Sequence, residues 1–223
     1  MKSLSVALLL ALSFPIAAQQ QQATSHDHED FPCAVDGLKT NKSAGCLLLA
    51  QPIVSDVPAG PLYWHLTTFR TRRSAEAAKR NGDAVVAADG RFWLSSLGAR
   101  NDTSLGGTHV AAIGPLPMPA PSTYRVELYY VMMPPHQHTM VHTHPGPEAW
   151  YILEGEQCLQ TPGGASRGTV GQSLVGPAGG TPMRLTNTGT TARRALFIVV
   201  HDSAKAWTSP SAWKPSGSCE PAR

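Results

Sequence analysis

Charge is scarce in this sequence. Asp, Glu, Lys and Arg make up 15% of its 223 residues, the net charge is +3, and no basic block occurs along the chain. That balance gives no case for a nucleic-acid partner. Long apolar runs are missing too, apart from Leu4 to Leu12, which is too short to span a bilayer. No Gly-x-Ser-x-Gly elbow and no phosphate-cradling glycine loop is present, so no nucleophile arrangement stands out. The cysteines do not follow a zinc-ribbon spacing.

Turn formers are abundant. Gly 20 and Pro 19 point to many turns and hence many short strands, while a hydrophobic content of 42% is ordinary for a globular protein. The N-terminus reads as a secretory signal over 1–18. Lys2 supplies the positive start, Leu4 to Leu12 the apolar stretch, and Pro15-Ile16-Ala17-Ala18 the small-residue cleavage site, with the cut expected after Ala18. No cysteine lies at the cut, so a lipoprotein anchor is not expected, and neither is membrane association after cleavage. Four cysteines, Cys33, Cys46, Cys158 and Cys219, suggest two disulfides in an exported chain, periplasmic or secreted. Of the three pairings, we favour Cys33–Cys46 and Cys158–Cys219, the second stapling the C-terminal tail.

The remaining chain divides into a loop-rich lead-in (19–60), a β-α-β-β extension (61–118), a β-rich body (119–204) and a tail packed on it (205–223). Gln19 to Asp30 is polar and of low complexity, and is expected to be disordered. The apolar Cys46 to Ala50 segment is too short for periodicity to separate strand from helix. Leu62 to Phe69 reads as a strand. Thr71 to Arg80 reads as a helix, with Thr71 as N-cap and Asn81-Gly82 as stop. Ala84 to Ala88 and Arg91 to Leu97 flank Asp89-Gly90, a hairpin signal. His109 to Ile113 is a further short strand. From Tyr124 the pattern is all β: strands are expected at 124–133, 138–144, 148–153, 157–161, 183–187 and 193–201, as in a sandwich or jelly roll.

The chemistry concentrates in HQHTMVHTHPGPEAWYILEG, residues 136–155. His136, His138, His142 and His144 share one parity, so an extended run lines them on a single face, with Met140 between them. Glu148 follows beyond a Pro-Gly-Pro turn. Two imidazoles and a carboxylate form a ligand set for a first-row divalent metal with positions left open.

At these residues the chain resembles the cupin superfamily, whose first motif reads G(X)5HXH(X)3-4E(X)6G. His142, His144, Glu148 and Gly155 match it, while His136 stands at the opening glycine. The second motif, G(X)5PXG(X)2H(X)3N, is matched by Gly171, Pro177 and Gly179, but Pro182 stands at its histidine and Thr186 at its asparagine. The resemblance implies a mainly β fold, a cupin-type jelly-roll barrel with a small mixed α/β N-terminal extension. The Tyr63-Trp64-His65 segment before the barrel resembles one in secreted bacterial single-domain cupin proteins.

The resemblance further implies a metal on His142, His144 and Glu148. With Pro182 at the place of a ligand, His138 is the best substitute by parity. Hydrogen-bonded polar residues lining a pocket are the plainer reading of the same side chains. Trp150 and Ile152 share parity with Glu148 and are expected to face the barrel interior, with Tyr151 and Leu153 on the other face. Arg184 reaches an anionic substrate if it faces inward; a surface position is the usual case. Met183 is expected in the core, and His65, His109 and His201 as structural histidines.

Two functions are in competition. One is a metal-dependent enzyme using Fe, Mn, Ni or Zn for dioxygenase, isomerase or decarboxylase chemistry on a small molecule. The other is a binding module without metal, favoured by Pro182. Cupins often dimerise, so a homodimer is compatible with either. Fold does not choose between reactions.

Overall fold

The structure, a computed structural model, describes residues 31, 33, 35–55, 57, 60–104, 106–118 and 123–219. The expected signal (1–18) and the polar stretch after it (19–30) lie outside the described residues. Among those described, no helix is long and apolar enough to cross a membrane.

The chain starts with a helical turn, α1 (Gly37–Thr40), then strands β1 (Gly45–Ala50) and β2 (Ile53–Val54). The segment whose periodicity was ambiguous is thus a strand, paired along its length with a later one. Next come β3 (Leu62–Phe69), α2 (Arg72–Ala78), β4 (Ala84–Ala88), β5 (Arg91–Gly98) and β6 (Thr108–Leu116). They form one antiparallel sheet in the order β4-β5-β3-β6. Thr71 caps α2, its side chain accepting from the Ser74 amide. The helix stops at Lys79, which is extended, before the expected Asn81-Gly82. Asp89 and Gly90 both take positive φ, as a tight two-residue hairpin requires. The last strand of this sheet is longer than expected.

The body follows as β7 (Tyr124–Met133), β8 (His142–Thr143), β9 (Glu148–Glu154), β10 (Glu156–Thr161), β11 (Gly164–Thr169), β12 (Ser173–Val175), β13 (Arg184–Thr186), β14 (Arg193–Asp202) and β15 (Ser209–Pro210). A six-stranded sheet runs β1-β7-β14-β9-β12, with β2 also on β7. Strands β11-β10-β13 form a smaller sheet, and β15 pairs with β8. The protein is mainly β, with little helix.

Alternation along the central strands sorts residues onto two cores. On β7, Tyr124, Val126 and Leu128 pack with Trp64, Leu66, Trp93 and Ile113 of the N-terminal sheet. Tyr129, Val131 and Met133 face the other way, toward Leu159 and Leu185 of the smaller sheet. On β14, Leu196, Ile198 and Val200 join the first core; Ala195, Phe197 and Val199 join the second. The central strands are buried on both faces, which explains their continuous apolar character.

The strand expected over 138–144 is not continuous. Pro134 and Pro135 precede a turn in which His136 takes φ 60°. His138 and Thr139 make only isolated bridges, and a bend at Val141 comes before β8. Both disulfides join the pairs we favoured, Cys33–Cys46 and Cys158–Cys219.

Candidate metal centre

The second core lines a half-open cavity of about 260 Å³. Its walls are largely apolar, with Phe31, Val131, Met133, Leu185, Phe197 and Trp207 contributing. His142, His144 and Glu148 meet in this wall, all buried, with one ligand-type atom from each lying within 4.8 Å of the others. Strand β8 and the residue after it supply the two histidines, and β9 begins with Glu148. The Pro145-Gly146-Pro147 turn brings them together. Gly146 is required there, because a Cβ would stand 1.9 Å from the Val200 carbonyl oxygen. Gly155 closes the motif at φ 74° in the turn from β9 to β10.

Each imidazole is held by its other nitrogen. His142 Nδ1 donates to the Met140 carbonyl at 2.8 Å, and His144 Nδ1 donates to the Trp207 carbonyl at 2.6 Å. With Nδ1 protonated, the Nε2 of a neutral ring is an unprotonated acceptor directed at the cavity side. This orientation through a carbonyl is the one that metal-ligating histidines normally have. His144 Nε2 lies 3.0 Å from Glu148 Oε2, and His142 Nε2 lies 4.0 Å from it. Among the described residues neither His144 Nε2 nor Glu148 Oε2 has a hydrogen-bond partner, so their approach is electrostatic and lacks hydrogen-bond alignment. Two ligand atoms about 2.1 Å from one ion stand roughly 3 to 3.5 Å apart. The 3.0 Å edge fits that spacing and the 4.0 Å edge is wider.

Electrostatics separates the two rings. Burial holds the His142 pKa below the ordinary histidine value, against the pull of Glu148, which keeps this ring neutral. Burial also pushes His144 down, but the Glu148 carboxylate beside it and the Trp207 carbonyl outweigh that, and its pKa is raised. The site thus attracts positive charge to the His144–Glu148 edge, and a divalent ion fits this donor set as well as a proton does.

The other expected site residues are scattered. Trp150 is buried and lines the cavity, as its parity with Glu148 indicated. Ile152 is buried with the same parity but lies outside the lining, where a Cβ on Gly168 would touch it. Tyr151 and Leu153 pack on the N-terminal core. His138 is neither in the ligand cluster nor in the cavity wall. The reason is the bend at Val141: Thr139 and His142, three positions apart, both line the cavity, so parity slips between them. Met140 lines the cavity at its rim, 48% exposed. Arg184 is half-buried outside the lining, in register with Gln160. Pro182 supplies no ligand, and Met183 is buried core. His201 pairs with Glu127 at 3.4 Å, and His65 bonds the Ala99 carbonyl.

Sequence reasoning missed Arg193, Trp207, Phe31 and Thr139 as cavity residues. Arg193 starts a strand that is apolar on both faces, so alternation could not say which face is inside. Trp207 arrives from the tail and Phe31 from the lead-in, which are long-range placements with no local signal. The two disulfides anchor these segments: Cys33–Cys46 is itself part of the cavity wall, and Cys158–Cys219 ties down the tail.

Residues 129–199 match the family model for a cupin domain. No curated protein matches the chain. Among solved structures it is similar to the DMSP lyase DddQ from Ruegeria pomeroyi DSS-3, with 25% identity over 39% of this chain and 43% of that one, TM-score 0.34. It is also similar to a cupin domain from Bordetella pertussis Tohama I, with 26% identity over 36% of this chain and 82% of that one, TM-score 0.30. A predicted oxalate decarboxylase from Thermotoga maritima shares 20% identity over 36% and 81%, TM-score 0.30. The chain thus spans under half the length of the lyase it resembles.

Proposed function

We propose that this is an exported cupin-domain protein that holds one divalent transition metal on His142, His144 and Glu148 and takes a small molecule into the adjoining cavity. The observation supporting this is the convergence of three buried ligand-type groups, two of them imidazoles oriented by backbone carbonyls. Buried acceptors left unmatched cost stability, and a cation removes that cost. Bound Fe(II), Mn(II), Ni(II) or Zn(II) would supply a Lewis acid or a redox centre with open positions for the ligand. The chain's own residues do the positioning. Met140 and Trp207 fix the rings through their carbonyls, Trp150 and Phe197 supply apolar wall, and the two disulfides hold the cavity walls. Disulfides also favour an oxidising, exported setting.

The test is elemental analysis of the mature protein purified from untreated medium, beside His142→Ala and Glu148→Ala. Near-stoichiometric metal, lost in both variants, supports the reading, and oxygen uptake and isomerase screens then address turnover. Absence of metal after anaerobic reconstitution would reject it. The second reading, a binding module without metal, is favoured by one observation: among the described residues the cluster stops at three, with Pro182 where the family places a further histidine.

A further inference from the structure

The cavity has a second polar group that the metal reading leaves unused. Arg193 begins β14, with the parity of Ala195, Phe197 and Val199, and lies opposite Met133 of β7. It lines the cavity and is 2% exposed. Its Nη1 donates to Oε1 of the buried Gln157. Among the described residues its Nε reaches no acceptor, and neither does Nε2 of Gln157. Burial pushes the Arg193 pKa down to about 10, against the attraction of Glu148, so the guanidinium remains charged at neutral pH. A buried charge with an unused donor is a poor structural device, since breaking or leaving such groups unpaired destabilises.

The charges in the cavity point the same way. Among its described lining residues, Glu148 and Arg193 carry opposite charges beside two imidazoles. A divalent ion on the histidines and Glu148 leaves two positive charges in excess inside apolar walls. In largely apolar walls, an anion is the natural counterpart of such an excess. We propose that Arg193 is the anion-binding group of this cavity and that the ligand is a small organic carboxylate, its apolar body packed against Phe197 and Leu185. The planar guanidinium suits a carboxylate, and with Nη1 already engaged it suits a monoanion better than a phosphate. A cavity of 150 Å³ holds benzene, so about 260 Å³ accommodates roughly ten heavy atoms. The charge excess rests on the metal reading; the unused donor does not.

Calorimetry with benzoate and its neutral analogue benzamide tests this on the mature chain, both metal-stripped and zinc-loaded. Benzoate is expected to bind at least tenfold more tightly than benzamide in both forms, and more tightly still with zinc. Arg193→Lys should weaken benzoate by about tenfold, and Arg193→Met should abolish the preference. In the wild type, the Arg193 Nε–H resonance should shift on adding benzoate, a readout that needs no variant. Equal binding of the two probes, no binding of either, or benzoate binding that requires zinc and is unchanged in both variants would overturn the proposal. If zinc is not taken up but benzoate still depends on Arg193, the metal reading fails and this one stands. If zinc binds and benzoate shows no preference, the reverse holds.

Discussion

His144 Nε2 and Glu148 Oε2 stand 3.0 Å apart, buried, and neither makes a hydrogen bond among the described residues. Two acceptors held this close call for a positive charge. The backbone is committed to the arrangement, because the Trp207 carbonyl fixes one ring and the Pro-Gly-Pro turn fixes the carboxylate. If the charge is a metal, binding should stabilise the fold. At a free ion concentration 100 times the Kd, the gain is about 2.7 kcal/mol. Differential scanning calorimetry should show Tm rising with added zinc and falling with chelator, with no response in Glu148→Ala.

The turn itself is testable. In Gly146→Ala the new Cβ meets the Val200 carbonyl at 1.9 Å, and backbone cannot move aside as a flexible side chain can. A loss of about 3 kcal/mol or more is expected, at the upper end of overpacking costs, with weaker metal retention. Urea unfolding and metal content together check this.

The tail acts on the site from a distance. Removing Cys158–Cys219 by double substitution to Ser opens a loop of 61 residues and is expected to cost about 4 kcal/mol. Removing Cys33–Cys46, with a separation of 13, should cost about 3 kcal/mol. The first change should also lower metal affinity by roughly 10- to 100-fold, because the Trp207 carbonyl loses its anchorage and His144 its orientation. Competition titration against a chromophoric chelator measures that effect separately from stability.

Acid should weaken the far end of the same face. Burial pushes the Glu127 carboxyl up, but hydrogen bonds with His201 and Gln51 more than offset this, and its pKa is lowered. A carboxylate lowered in the folded state stabilises above its unfolded pKa, and that contribution disappears as pH falls through the folded value. Glu127→Gln should therefore cost about 2 kcal/mol at neutral pH, with the difference from wild type shrinking as pH falls below the ordinary glutamate range. Urea denaturation across that range gives both curves.

How much of this was legible in the sequence depends on the range of each signal. Thr71 as a cap, Asp89-Gly90 as a hairpin and the parity of Trp150 with Glu148 are local relationships, and the structure follows them. His142, His144 and Glu148 lie within seven residues, so their convergence was also readable. His138 was misplaced because alternation assumes an unbroken strand, and the bend at Val141 is not written in residue type. Arg193 was missed because a strand buried on both faces carries no amphipathic pattern, and Trp207 because its contact with His144 spans 63 positions.

The most direct test is a calorimetric titration of the metal-stripped mature protein with zinc. One ion per chain is expected, with affinity reduced on the order of 100-fold or more in His142→Ala, His144→Ala and Glu148→Ala. Failure to bind zinc or any other divalent transition ion, or binding equally tight in all three variants, would contradict it.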